Sequence, residues 1–247
     1  MSIEKLCKRD VALIGIMSDE NSSFLRGAAA APGFIREALH CGSANLCSEL
    51  GVDLAGNPRF VDVGDREIAH GSDNFLSIES EISTVLARGA LPLVLGGDHS
   101  ISYPVLRAVH RFHGPVNILH FDAHPDLYDD YEGNPHSHAS PFARIMENGL
   151  ARRLVQIGIR TLNAELREQV KRFGVETHEM RSTDCHAINV EFDGPVYISC
   201  DIDALDPAFA PGVSHHEPGG LSVRDILGVI HRLSGQVIGA DIVEFNP

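Results

Sequence analysis

The stretch VNILHFDAHPDLYDD, residues 116–130, decides the reading of this chain. Its first six residues are largely apolar and suit a strand buried on both faces. The next nine hold four carboxylates and a histidine. Like charge gathered at a strand exit is unfavourable unless something positive neutralises it, so the segment predicts a cation site.

Similar strands recur along the chain. VALIGI, FVDVG, LPLVLG, LVQIGI, VYISCDI and VIGADIVEF read as further strands. Between them LSIESEISTVLARG, SYPVLRAVHRF, SPFARIMENG, LNAELREQVKRFG and SVRDILGVIHRLSG space their apolar residues by three and four, as helices do. The alternation predicts an α/β fold: a single doubly wound, mostly parallel sheet with helices on both faces. No repeat or linker divides the 247 residues, and positions 42–58 read as an irregular surface segment.

Composition narrows the function. A net charge of −14 argues against nucleic acid and for neutral or cationic small partners. The five scattered cysteines include no CxxC pair, so neither a disulfide framework nor a thiolate zinc site is expected. The N-terminal apolar run is too short for a membrane span and has no signal-peptide pattern, which makes the cytoplasm the expected compartment.

In open α/β sheets, sites form beyond the carboxyl ends of the strands. Three exits are strongly polar: LVL runs into GGDHS, NILHF into DAHPD, and YISC into DIDALDP. Asp122 and His124 are two apart, as are Asp201 and Asp203, so each pair can face one point. With His99 and Asp126 they make four carboxylates and two imidazoles. This oxygen-rich set without thiolate suits Mn²⁺, or Fe²⁺, Co²⁺ or Ni²⁺, and six ligands with bridging carboxylates suggest two ions. In two-metal hydrolases such a pair generates hydroxide from water near neutral pH. Asp98 is also a possible ligand by type, but should point away from His99. Asp206 reads as a turn acid, and Cys200 as a small residue packed in the sheet.

GGDHS, DAHPD, SHASPF, SCDIDALDPAFAPGVSHHEPGG and DIVEFNP together resemble the ureohydrolases, the family of arginase and agmatinase, and most closely its plant-type arginase branch. The resemblance runs from NSSFLRGAAAAPGFIREAL through DVGD to the last residues. It implies an arginase-like fold and two Mn²⁺ per chain. One ion would be held by His99, Asp122, Asp126 and Asp201, the other by Asp122, His124, Asp201 and Asp203, with Asp122 and Asp201 bridging. It also implies that Asp126 aims the nucleophile, that Glu244 pairs with the substrate guanidinium and that His138 protonates the leaving amine. Spacing alone does not choose between His136 and His138; the SHASPF segment favours the latter. His215 and His216 fall in a Gly/Pro-rich loop that could border the site.

The expected activity is hydrolysis of L-arginine to L-ornithine and urea, with agmatine or another guanidino compound as the alternative substrate. His124, His138 and Glu244 would contact the substrate, and Asn134 would offer its amide to an α-carboxylate. A non-catalytic metal-binding relative and a dinuclear phosphoesterase are the competing classes. The full ligand set argues against the first, and the lack of a Gly-rich phosphate loop or Arg cluster against the second. The resemblance further implies a homo-oligomer, trimeric or hexameric, and admits a mitochondrial location. Family members usually continue past DIVEFNP into a C-terminal helix, so one domain over residues 1–247 without that helix is expected.

Overall fold

The computed structural model describes residues 3–247. Eight strands form one sheet: β1 (Val11–Ile16), β2 (Phe60–Arg66), β3 (Leu91–Leu95), β4 (Val116–Phe121), β5 (Ala151–Ile159), β6 (Glu176–Glu179), β7 (Glu191–Asp201) and β8 (Ser234–Val243). Their order is β2-β1-β3-β8-β7-β4-β5-β6, and every neighbouring pair is parallel. The sheet is thus wholly rather than mostly parallel. The strands whose exits carry the predicted ligands and Glu244, namely β3, β8, β7 and β4, are contiguous at its centre.

Side-chain alternation builds one apolar layer on each face. Val116 and Ile118 of β4 join a core with Ile78, Ile82, Val105 and Val109, from α2 (Asn74–Ala87) and α3 (Ser102–His113). Leu119 and Phe121 of the same strand face the other way, into a cluster with Ile226 and Val229 of α6 (Val223–Arg232). Burying each such side chain stabilises the fold by about 1.5–3 kcal/mol. The remaining helices are α1 (Ala31–His40), α4 (Pro141–Glu147) and α5 (Ala164–Phe173). No helix among the described residues is long and apolar enough to cross a membrane.

Two elements escape a reading by pattern. In α1, Pro32 and Gly33 look like breakers, yet Pro32 lies in the first turn, where its missing N–H costs nothing. Arg36 of α1 then pairs with Asp62 and Asp65 on β2. The strand β6, ETHE, has no apolar residue and borders only β5 at the sheet edge. Residues 42–58 contain no named strand or helix, as expected.

Candidate metal centre and active-site cavity

The glycines of GGDHS permit a close crossing behind the site. A Cβ on Gly97 would collide with the carbonyl of Ser18 at the exit of β1, while the Gly97 carbonyl accepts the Glu244 N–H at 2.8 Å. Asp98 caps the short turn His99–Ile101 through Ser100 and accepts the Asn21 N–H, so it serves the backbone. Burial and the nearby Glu244 push its carboxyl up to about 6. His99, 1% exposed, points the opposite way.

Around His99 Nδ1 three carboxylate oxygens gather: Asp126 at 3.0 Å, and Asp122 and Asp201 at 3.2 Å each. Among the described residues Nδ1 nevertheless has no partner in hydrogen-bond geometry. A short distance away His124 Nδ1 lies 3.0 Å from Asp203 and 3.4 Å from the second oxygen of Asp122. Asp122 thus faces both histidines, one with each oxygen. The six predicted ligands are brought together. Asp201 Oδ1 accepts the N–H of Asp203, and Asp203 Oδ1 that of Ala123, which fixes both carboxylates.

Electrostatics agree with a cation site. Burial, with Asp203 and Asp122 close by, drives the Asp201 carboxyl well above the usual range, and burial raises that of Asp203. Despite their own burial, His99 and His124 are held well above the ordinary imidazole value by the acids around them. A divalent ion would relieve this mutual repulsion. The unpartnered Nδ1 and the thiolate-free donor set fit a hard or borderline metal.

Beside the cluster opens a cavity of about 240 Å³, lined among others by Asp126, His138, Tyr131, His215, Glu217 and Glu244. His138 Nδ1 donates to Glu244 Oε1 at 2.8 Å, and Oε1 also accepts the His99 N–H. Although burial opposes it, the Glu244 carboxylate raises His138 to about 9. On the other ring nitrogen the Ser23 hydroxyl lies at 2.8 Å and the Ser23 N–H at 3.2 Å. The hydroxyl suits the charged ring, while the N–H contact requires the neutral one, so the pocket tolerates both protonation states. Asp126 and Glu244 are two of only four non-glycine residues among those described with positive φ, at 50° and 62°. Such backbone conformations cost about 1–3 kcal/mol and concentrate at functional sites.

Asn134 and His136 do not join this cavity. They line a neighbouring groove with Tyr103 and Phe75. The Asn134 amide donates to Asn21, and the His136 ring stacks on Tyr103. Asp206 is a turn acid, accepting from Ala208, Gly219 and Gly220. Sequence reading did not single out Ser23, Glu217 or His120. Ser23 follows the polar exit of β1, a signal that the strand-end rule could have caught. His120 of β4 precedes Asp122, at the strand exit, by two and therefore points to the same side.

The loop that carries His215 and Glu217 is clasped from behind. The Arg160 guanidinium donates to the carbonyls of Glu217, Asp203, Ala204, Leu205 and Gly158.

The arginase family profile matches residues 9–247. The mitochondrial arginase 1 of Arabidopsis thaliana is 54% identical over 97% of this chain and 75% of its own length. The agmatinase of Bacillus subtilis is 33% identical over 96% and 84%. The solved arginase of Medicago truncatula superposes with a TM-score of 0.91 at 48% identity, covering 97% of this chain and 80% of that one. With profile, sequence and fold in accord, the chain belongs to the arginase family, hydrolases that act on guanidino C–N bonds.

Proposed function

We propose that the protein hydrolyses L-arginine to L-ornithine and urea with two Mn²⁺ per chain. The observation that carries the metal reading is the unpartnered His99 Nδ1 among three carboxylates. His99, Asp122, Asp126 and Asp201 would hold one ion, and Asp122, His124, Asp201 and Asp203 the other. When bound, such a pair acidifies water and so supplies the nucleophile.

This chain's own residues supply the rest. Glu244, fixed by the His99 N–H and by His138, offers a carboxylate at the cavity floor for the guanidinium. Asp126 would accept a hydrogen bond from the nucleophile and so aim its lone pair. His138, held near 9, is protonated at neutral pH and can give its proton to the departing alkylamine, which is a poor leaving group without it. Among the described residues no Lys or Arg lines the cavity, which suits a cationic substrate.

Arginine and agmatine differ only in the α-carboxylate. Identity of 54% to a protein named arginase, against 33% to one named agmatinase, supports arginine. With Asn134 in the neighbouring groove, the carboxylate donor is better sought on the cavity wall. Tyr131 lines the cavity, and its hydroxyl has no hydrogen bond among the described residues.

Urea release by the Mn²⁺-loaded protein across a panel of guanidino compounds tests the reading. Arginine should exceed agmatine by at least about tenfold in kcat/KM, the scale of one hydrogen bond to a charged group. Tyr131→Phe should narrow the gap, and Asn134→Ala should leave it. Equal or reversed values would overturn the arginine assignment.

A further inference from the structure

One residue pair below the carboxylates, a polar row crosses the middle of the buried sheet. The strand register places Gln156 beside His120, His120 beside Ser199, and Ser199 beside Asp241, on β5, β4, β7 and β8. All four are 0% exposed. A buried sheet would be more stable with apolar residues there unless the polar groups have work to do.

The hydrogen bonds of the row point up at the metal-facing side chains. The Ser199 hydroxyl donates to Asp241 at 2.6 Å, so its lone pair faces His99 Nε2 at 3.0 Å. Nε2 must then carry a proton, so Nδ1, amid the carboxylates, is the ring nitrogen that can offer a lone pair once a cation binds. On the other arm, the Gln156 amide donates to the Pro125 carbonyl and to His120 Nδ1. His120 Nε2–H is thereby aimed at Asp122 Oδ2, 2.8 Å away. His120 is for this reason a donor to Asp122 rather than a metal ligand. Asp241 has no ion pair among the described residues. Three hydroxyls, of Ser199, Ser102 and Tyr197, offset its burial.

We propose that Gln156, His120, Ser199 and Asp241 form a positioning layer that fixes which ring nitrogen of His99 faces the carboxylates, and the orientation of Asp122, before a cation arrives. The proposal rests on the reading of His99 and Asp122 as metal ligands. The layer is fixed by the register of four adjacent strands, so its geometry does not depend on loops.

Titration of the metal-free protein with Mn²⁺, followed by calorimetry, tests it without reference to turnover. Ser199→Ala and Asp241→Asn should each weaken Mn²⁺ binding by about 10- to 100-fold, as should Gln156→Leu through the other arm. Ser199→Thr, which keeps the hydroxyl, should restore most of the affinity. Tyr197→Phe removes one Asp241 donor but not the link to His99; it should lower Tm and leave the affinity within about threefold of wild type. If Asp241→Asn fails to fold, Ser199→Ala decides alone. Wild-type Mn²⁺ affinity in Ser199→Ala and Gln156→Leu, with only Tm reduced, would overturn the proposal. Failure of the wild-type protein to take up two Mn²⁺ would instead defeat the metal reading on which the proposal rests.

Discussion

His99 and His124 face the same carboxylate, Asp122, from unlike surroundings. The His99 side chain is 1% exposed, packs edge-on against Phe142, and anchors its far nitrogen on Ser199 inside the sheet. The His124 side chain is 26% exposed, and its far nitrogen looks into the cavity, 3.6 Å from Glu217. One end of the cluster is built on strands. The other ends in a side chain that solvent and substrate can reach. The inner position is thus set by the fold before any ligand binds, whereas the outer one can still adjust.

Asp122 is the residue that both ends share. Asp122→Asn should abolish urea release and two-ion Mn²⁺ binding together, as measured by elemental analysis; retention of both ions would show the two halves to be independent. Next in size, His99→Ala should cost about 2–4 kcal/mol of metal-free stability in denaturant unfolding, because it opens a buried, packed site. His124→Ala should cost clearly less. Equal losses would contradict the inner and outer distinction.

His138→Asn should lower kcat by roughly 10²-fold with metal content intact, and His136→Asn should do little. A sensitive His136 would move proton delivery to the groove. His138 also makes stability depend on pH. Its folded value, about 9, lies above the ordinary 6.5, so its ion pair with Glu244 stabilises fully below about 6.5. That contribution declines as pH rises and is lost above about 9. The Tm gap between metal-free wild type and His138→Asn should close over this window; a constant gap would argue against the protonated ring. The smallest effect belongs to Glu217, whose carboxylate is 37% exposed. Glu217→Gln should change Mn²⁺ affinity by no more than about fivefold, the range of an exposed ion pair.

Much of this was legible in the sequence because the candidate ligands sit in strand exits. Asp122, His124, Asp201 and Asp203 follow the period of two, and the central strands are strongly apolar. The supporting row obeys the same period, in HFD and SCD, but His120 and Ser199 pass as polar interruptions until register shows Ser199 beside Asp241. Ser23 meets His138 across 115 residues of sequence, a contact that no local pattern encodes. Asn134 has the right residue type in the right loop, yet its placement depends on how Tyr131–Asn134 folds back on Asn21. ETHE lacked any apolar signal because an edge strand need not bury one.

The Arg160 clasp bears on attempts to redesign selectivity. Exchanging the loop that carries His215 and Glu217 for one of different shape would release Glu217 from a guanidinium that also grips the carbonyl of Asp203. A graft meant only to change which tail is accepted would therefore loosen a carboxylate of the cluster. The wall from Tyr128 to Tyr131 has no such tie to a cluster carbonyl among the described residues, and side-chain changes there are the safer starting point for a library.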